Sequence, residues 1–121
     1  WVDMQNYGLF TAMVFHSVGA DQIDTFSILA NAESDGGGTD VTVKTHASGG
    51  VATFIDAVGD YAFLEISAEE VIQEASDAGV SGARYVSVSL ELGTATDECV
   101  VVYILSEPRF AHDALSADFI A

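Results

Sequence analysis

The sequence predicts an all-β fold, an antiparallel, jelly-roll-like β-sandwich of about seven or eight short strands. Apolar and polar residues alternate along most segments, as in half-buried strands. Turn signals that contain glycine recur at short spacing. Half of the 121 residues are apolar, which suffices for one core. We therefore expect a single domain over residues 1–121, with an N-terminal arm (1–8) and a C-terminal tail (109–121).

In the first half of the chain, the sequence predicts strands separated by glycine-containing turns. Residues 9–18 supply apolar side chains to both faces of a strand, and residues 23–32 form a second strand. The short link 19–21 between them predicts a hairpin. The polar segment 31–40 contains three consecutive glycines and predicts a loop. Further strands are expected at 41–46, 51–56 and 61–67.

One helix is predicted where the period changes after Ser67. The sequence Ser67-Ala-Glu-Glu70 has the form of a capping box, in which the serine and the glutamate each satisfy a backbone N–H of the other. Gly79 provides a stop signal, so the helix should cover about residues 68–78. Its core-facing residues should be Val71, Ile72 and Ala75.

The most regular stretch is 82–106. Residues 85–92 alternate, and residues 100–105 form an unbroken apolar run that is typical of a strand covered on both faces. Because the link 93–98 is short and polar, we expect these two strands to form a central hairpin. Pro108 should end the strand pairing.

The charge balance excludes several kinds of partner. The chain has 3 basic and 19 acidic residues, for a formal net charge of −16. Nucleic acid and anionic membrane surfaces need clustered lysine and arginine, so neither is expected as a partner. No apolar run approaches the ~18 residues of a membrane span. The acidity suits either a solvated exterior or a surface matched to a basic partner.

Candidate metal and catalytic residues are scattered rather than patterned. The acidic residues around the triple glycine do not have the alternate spacing of a calcium loop. One cysteine and three isolated histidines give no zinc spacing, and no nucleophile motif stands in its required context. We therefore expect no enzyme, no cofactor and no metal site. The residues considered are Glu33, Asp35, Asp40, His16, His46, His112 and Cys99.

Three short segments together resemble a loose family of small structural proteins encoded by tailed bacteriophages. They are Trp-Val-Asp-Met-Gln-Asn-Tyr-Gly at 1–8, Ala-Arg-Tyr-Val-Ser-Val-Ser-Leu at 83–90 with Gly-Thr-Ala at 93–95, and Pro-Arg-Phe-Ala at 108–111. The chain departs from the family pattern at 70–81, which is longer than the family's turn, and at 111–121, which extends past the usual end.

The resemblance implies a virion component, most simply a head decoration or cement protein on the outer surface of the phage head. Its partners would be the major capsid protein and its own copies, as a homotrimer. Deleting the segment before Gly8 should then weaken attachment and leave the fold intact. Apolar residues at the two chain ends are the expected contacts: Trp1, Val2, Met4, Tyr7, Phe110, Phe119 and Ile120.

Two other functions remain open from the sequence. A head–tail connector or tail protein would differ from a decoration protein in copy number and location. A sugar- or calcium-binding β-sandwich would use Trp1 and the strand tyrosines for stacking, although aromatic residues are more often used in cores and interfaces.

Overall fold

Two antiparallel sheets and one helix share a single core in the computed structural model, which describes residues 1–20, 22–46 and 57–109. The predicted all-β sandwich with one short helix is confirmed. The elements are β1 (Val2–Asp3), β2 (Tyr7–Val18), β3 (Ile23–Asn31), β4 (Val41–Thr45), β5 (Tyr61–Ser67), α1 (Ala68–Asp77), β6 (Tyr85–Leu92) and β7 (Glu98–Pro108). The sheets have the strand orders β1-β6-β3-β4 and β5-β2-β7.

Two parts of the prediction differ from the described structure or lie outside it. A jelly roll has eight strands in two sheets of four, whereas the described ranges show a sheet of four and a sheet of three. The strand expected at 51–56 lies outside the described residues, as does the tail beyond Arg109.

The core forms because alternate residues of the strands point between the sheets. β2 contributes Phe10, Ala12 and Val14, and all three are fully buried. Opposite them, β3 contributes residues that are at most 1% exposed. Side chains of one strand alternate between its two faces, so the residues between the buried ones must point outward. The β3 core residues are Ile23, Phe26, Ile28 and Ala30.

The helix begins at the predicted capping box. The Glu70 N–H donates to Ser67 Oγ at 3.2 Å, and the Ser67 N–H donates to the Glu70 carboxylate at 2.8 Å. The hydrogen bonds that the Ser67 backbone N–H and the Ser67 side chain make to the Glu70 carboxylate, with the charge of Lys44, lower the pKa of Glu70 from its ordinary value of 4.5. The contribution of the Glu70 charge to stability is therefore present at neutral pH and is lost as the pH falls below that value. Ile72 is 49% exposed, which corrects its assignment to the core-facing side.

The predicted central hairpin is wrong, because its two strands belong to different sheets. β6 pairs with β1 and β3, whereas β7 pairs with β2. The link between them crosses from one sheet to the other and is closed locally, with the Thr94 N–H donating to the Asp97 carboxylate at 3.1 Å. A short polar link fixes a turn, but it does not decide which strands become neighbours.

The predicted hairpin of residues 9–18 and 23–32 is wrong for the same reason. β2 lies between β5 and β7, and β3 lies between β4 and β6. The partners of β2 are therefore both distant in sequence, whereas β3 pairs with the next strand, β4, and with the distant β6. β2 and β3 themselves lie on opposite sides of the core.

The apolar run of β7 is not covered on both faces. β7 is an edge strand of the three-stranded sheet, and Val100, Val102 and Ile104 are 51%, 39% and 49% exposed. Its pairing ends at Pro108, as predicted. The correction matters for function, because it leaves apolar side chains on the surface.

We predict that Ser67→Ala lowers the free energy of unfolding by about 1 kcal/mol, because it removes one half of the capping box. Urea denaturation followed by circular dichroism would measure the change. Ser76→Ala is the matched control, since Ser76 is exposed within the same helix. An equal loss in both variants would contradict a capping role for Ser67.

Candidate interaction surface

The side of the three-stranded sheet that points away from the core carries a contiguous apolar surface. The strand registers place its residues in three rows that run from β5 through β2 to β7. We call these nine residues the outer face. They are Tyr61, Phe15 and Val100; Phe63, Met13 and Val102; and Glu65, Thr11 and Ile104.

Seven of these nine residues are apolar, and the two aromatic residues of β5 are the most exposed. Tyr61 is 63% exposed and Phe63 is 59% exposed. At ~150–250 Å² per aromatic side chain, these exposed fractions and the 39% of Phe15 give on the order of 300 Å² of exposed aromatic surface. Together with the exposed parts of Val100, Val102 and Ile104, the patch falls in the ~300–600 Å² range of the largest patches on typical monomers, which are often functional.

The outer face is also nearly free of charge. Its one charged residue is Glu65, at the end of the sheet, where the Thr11 hydroxyl donates to its carboxylate at 3.1 Å. The whole chain carries a net charge of −16, so this surface contrasts with the composition of the protein. A partner for it would be recognised by shape and apolar burial rather than by ion pairs.

The edge of β7 is open along the described part of the chain. The strand pairs with β2 on one side and ends the sheet on the other. The eight residues from Cys99 to Ser106 contain no charge and no proline, and Glu98 and Glu107 lie at the two ends. Natural edge strands are usually protected from pairing with another strand by charged residues, by proline or by a bulge. No bulge interrupts the register of β7 from Val100 to Ser106.

Tyr103 holds the inner side of β7 against the rest of the protein. Its ring meets Phe10 edge to face, with 5.3 Å between the ring centroids. Its hydroxyl accepts a hydrogen bond from the Val88 N–H of β6 at 3.2 Å. These contacts connect β7 to both sheets, so the open edge belongs to a firmly held strand.

The N-terminal residues expected as contacts are built into the fold. Met4 is 2% exposed and lies in the core, so it offers almost no surface to a partner. Val2 pairs with Val86 of β6, and Tyr7 begins β2. Trp1 is 37% exposed, and its indole packs against the backbone of the 31–40 loop.

The N-terminal arm is therefore not separable from the fold. Removing the segment before Gly8 would remove Met4 from the core together with β1, which corrects the expectation that the fold would remain intact. At the other end of the chain, the expected contacts Phe110, Phe119 and Ile120 lie outside the described residues, as does His112.

Trp1 reaches the 31–40 loop because residue 36 is a glycine. A Cβ on Gly36 would overlap the indole of Trp1, and Gly36 has a φ of +73°, which side chains disfavour. Asn31 organises the same loop: it is fully buried, accepts from the Glu33 N–H at 2.8 Å and donates to Asp40. The acidic residues of the loop therefore help to shape a turn.

The described histidine, cysteine and acidic side chains do not form a metal-binding cluster. Within 1–20, 22–46 and 57–109, no three His, Cys, Asp or Glu side chains gather in a way that could hold a metal ion. His16 is fully buried, and its Nε2 lies 3.0 Å from the Val18 carbonyl. His46 stacks on Phe26, and burial lowers the pKa of its imidazole. Burial, with Asp97 nearby, raises the pKa of the Cys99 thiol and so disfavours the nucleophilic thiolate.

A small cavity lies between the N-terminal arm and α1. Its volume of about 40 Å³ is far below the ~300–1,000 Å³ of ligand pockets. Two arginines line it, and both are paired with carboxylates: Arg84 with Asp3 at 3.0 Å and Arg109 with Glu69 at 2.9 Å. The cavity is too small to hold a ligand, and both of its arginines are already engaged in ion pairs.

Comparisons of the chain with protein-family models, with curated proteins and with solved structures found no match. In the ranges that the structure describes, no helix has the length and apolar character needed to cross a membrane. Functional inference therefore depends on the surfaces described above.

We predict that Phe63→Thr changes the free energy of unfolding by less than about 1 kcal/mol, because Phe63 lies on the surface and threonine favours strands. The same variant should elute earlier from a phenyl column, since the outer face loses its central aromatic ring. Leu64→Thr is the control: Leu64 is 6% exposed, and its truncation should cost about 2–5 kcal/mol. Similar losses of stability in the two variants would show that Phe63 is packed against the rest of the protein rather than exposed on the outer face.

Proposed function

We propose that this chain is a non-catalytic structural protein of a tailed-phage virion. It binds the outside of the head and stabilises the lattice of the major capsid protein. The observation that carries the proposal is the outer face, an exposed and almost uncharged apolar surface on a rigid sheet. The sequence resemblance described above supplies the virion context.

The outer face has the properties that attachment to a protein lattice requires. Burying ~100 Å² of apolar surface contributes about 2.5 kcal/mol before the costs of association. The aromatic residues Phe15, Tyr61 and Phe63 lie side by side on adjacent strands, as the anchors of an interface commonly do. Many such contacts acting together on one particle would make weak individual binding effective.

The distribution of charge fits the same orientation. If the outer face is turned toward the capsid, most of the 19 acidic residues face solvent. The outside of the particle then carries a negative surface that keeps it soluble and opposes aggregation of particles. A sugar- or calcium-binding role has less support, because the described acidic residues do not converge and the described cavity is small.

Quantitative mass spectrometry of purified virions tests the proposal directly. We expect a ratio of this chain to the major capsid protein near one, which corresponds to a protein that covers the head. A handful or a dozen copies per particle would instead assign it to the neck or tail. Absence from purified particles would overturn the virion role.

Attachment through the outer face has a separate test. Phe63→Lys should reduce the number of copies retained on particles at least tenfold, because it buries a charge in an apolar contact. Thr42→Lys is the matched control: it makes the same change of charge at an exposed position of β4, in the other sheet. Full retention of the Phe63 variant, or equal loss of both, would contradict this mode of attachment.

A further inference from the structure

The open edge of β7 is a surface distinct from the outer face, and it has its own chemistry. An unpaired edge presents backbone N–H and C=O groups that can extend the sheet with another strand. β7 is eleven residues long, and its central eight residues carry no charge. A strand of this length offers enough backbone groups for a continuous ladder with a partner.

The composition of the edge favours a second copy of this chain as the partner. The central part of β7 has neither the cations that would select an acidic strand nor the carboxylates that would select a basic one. Two copies at −16 repel each other over most of their surfaces, and they can approach most closely where both are uncharged. Two β7 edges related by a two-fold axis meet this condition, and two-fold pairs are the commonest oligomers.

We infer that two copies of this chain pair edge to edge through β7 in antiparallel orientation. The two three-stranded sheets then become one sheet of six strands, β5-β2-β7-β7-β2-β5. Glu98 and Glu107 bracket the uncharged run. A register centred on that run places Glu98 of one copy opposite Glu107 of the other, so the ends of the junction repel each other until salt screens these carboxylates. The rows of the two outer faces continue across the new junction.

This pairing goes beyond the proposed attachment to a capsid and does not require it. The dimer presents two outer faces on one side of a single sheet, which doubles the apolar area available to a lattice. It also differs from the homotrimer that the sequence resemblance implies. Pairing uses the backbone edge of β7, whereas attachment uses the side chains of the whole outer face. A substitution on β5, at the far side of the sheet from the junction, therefore alters attachment without touching the pairing edge.

Sedimentation velocity of the full chain, over a range of concentrations at 0.1 M and 1 M salt, tests the inference. We expect a monomer–dimer equilibrium that tightens at high salt, because the Debye length falls from about 10 Å to about 3 Å and the repulsion between copies is screened. Hydrogen exchange should show protection of β7 amides that increases with protein concentration.

Two lysine variants provide the matched comparison. Val102→Lys and Phe63→Lys lie in the same row of the sheet, on opposite edge strands, and each changes the net charge from −16 to −15. Val102→Lys should weaken the dimer at least tenfold, whereas Phe63→Lys should change it less than threefold. Ile104→Lys replaces the first variant if that protein fails to fold.

Three results would overturn the inference. The first is a wild-type chain that stays monomeric at all concentrations and both salt levels. The second is a trimer. The third is a dimer that Phe63→Lys disrupts and Val102→Lys leaves intact, since this would move the contact from the edge to the outer face. Because none of these measurements involves a capsid, failure here is distinguishable from failure of the proposed function.

Discussion

The position of β2 between β5 and β7 is the constraint on which the three-stranded sheet depends. Its inward residues Phe10, Ala12 and Val14 have no exposed surface and hold this sheet against the other one. The same alternation forces Met13 and Phe15 outward. Because β2 is paired on both sides, its neighbours align their own apolar residues with those outward positions. One strand therefore creates both the core and the outer face.

The parts of the fold that local chemistry determines could be predicted from the sequence. Alternating segments and apolar runs identified six strands, and the Ser67 capping box placed the start of the helix at the residue where the structure has it. Strand neighbours could not be predicted, because a short link such as 93–98 serves equally as a hairpin turn or as a crossing between sheets. The choice depends on contacts between distant residues, such as those of β7 with β2.

The candidate surface was missed for a related reason. The run from Val100 to Leu105 is apolar at every position, and such a run is typical of a fully buried strand. In the structure the same run lies in an edge strand whose outer side is uncovered, so Val101 and Leu105 pack against the core and the other four residues remain exposed. Contacts were expected at the chain ends instead. Met4, one of the residues expected there, is a core residue. The sequence signal that could have revealed this surface was the combination of the apolar run of β7 with the aromatic residues at alternate positions of β5.

The pairing of β1 with β6 also governs when the fold can be completed. Val2 lies opposite Val86, so β1 cannot pair until β6 has been synthesised. Ribosomes add about 5–20 residues per second, so the N-terminal arm remains unpaired for several seconds during synthesis. Contacts between such distant residues also slow folding, because a long loop must close before they form. The N-terminal arm is thus made long before its partner strand and is among the last segments to be secured.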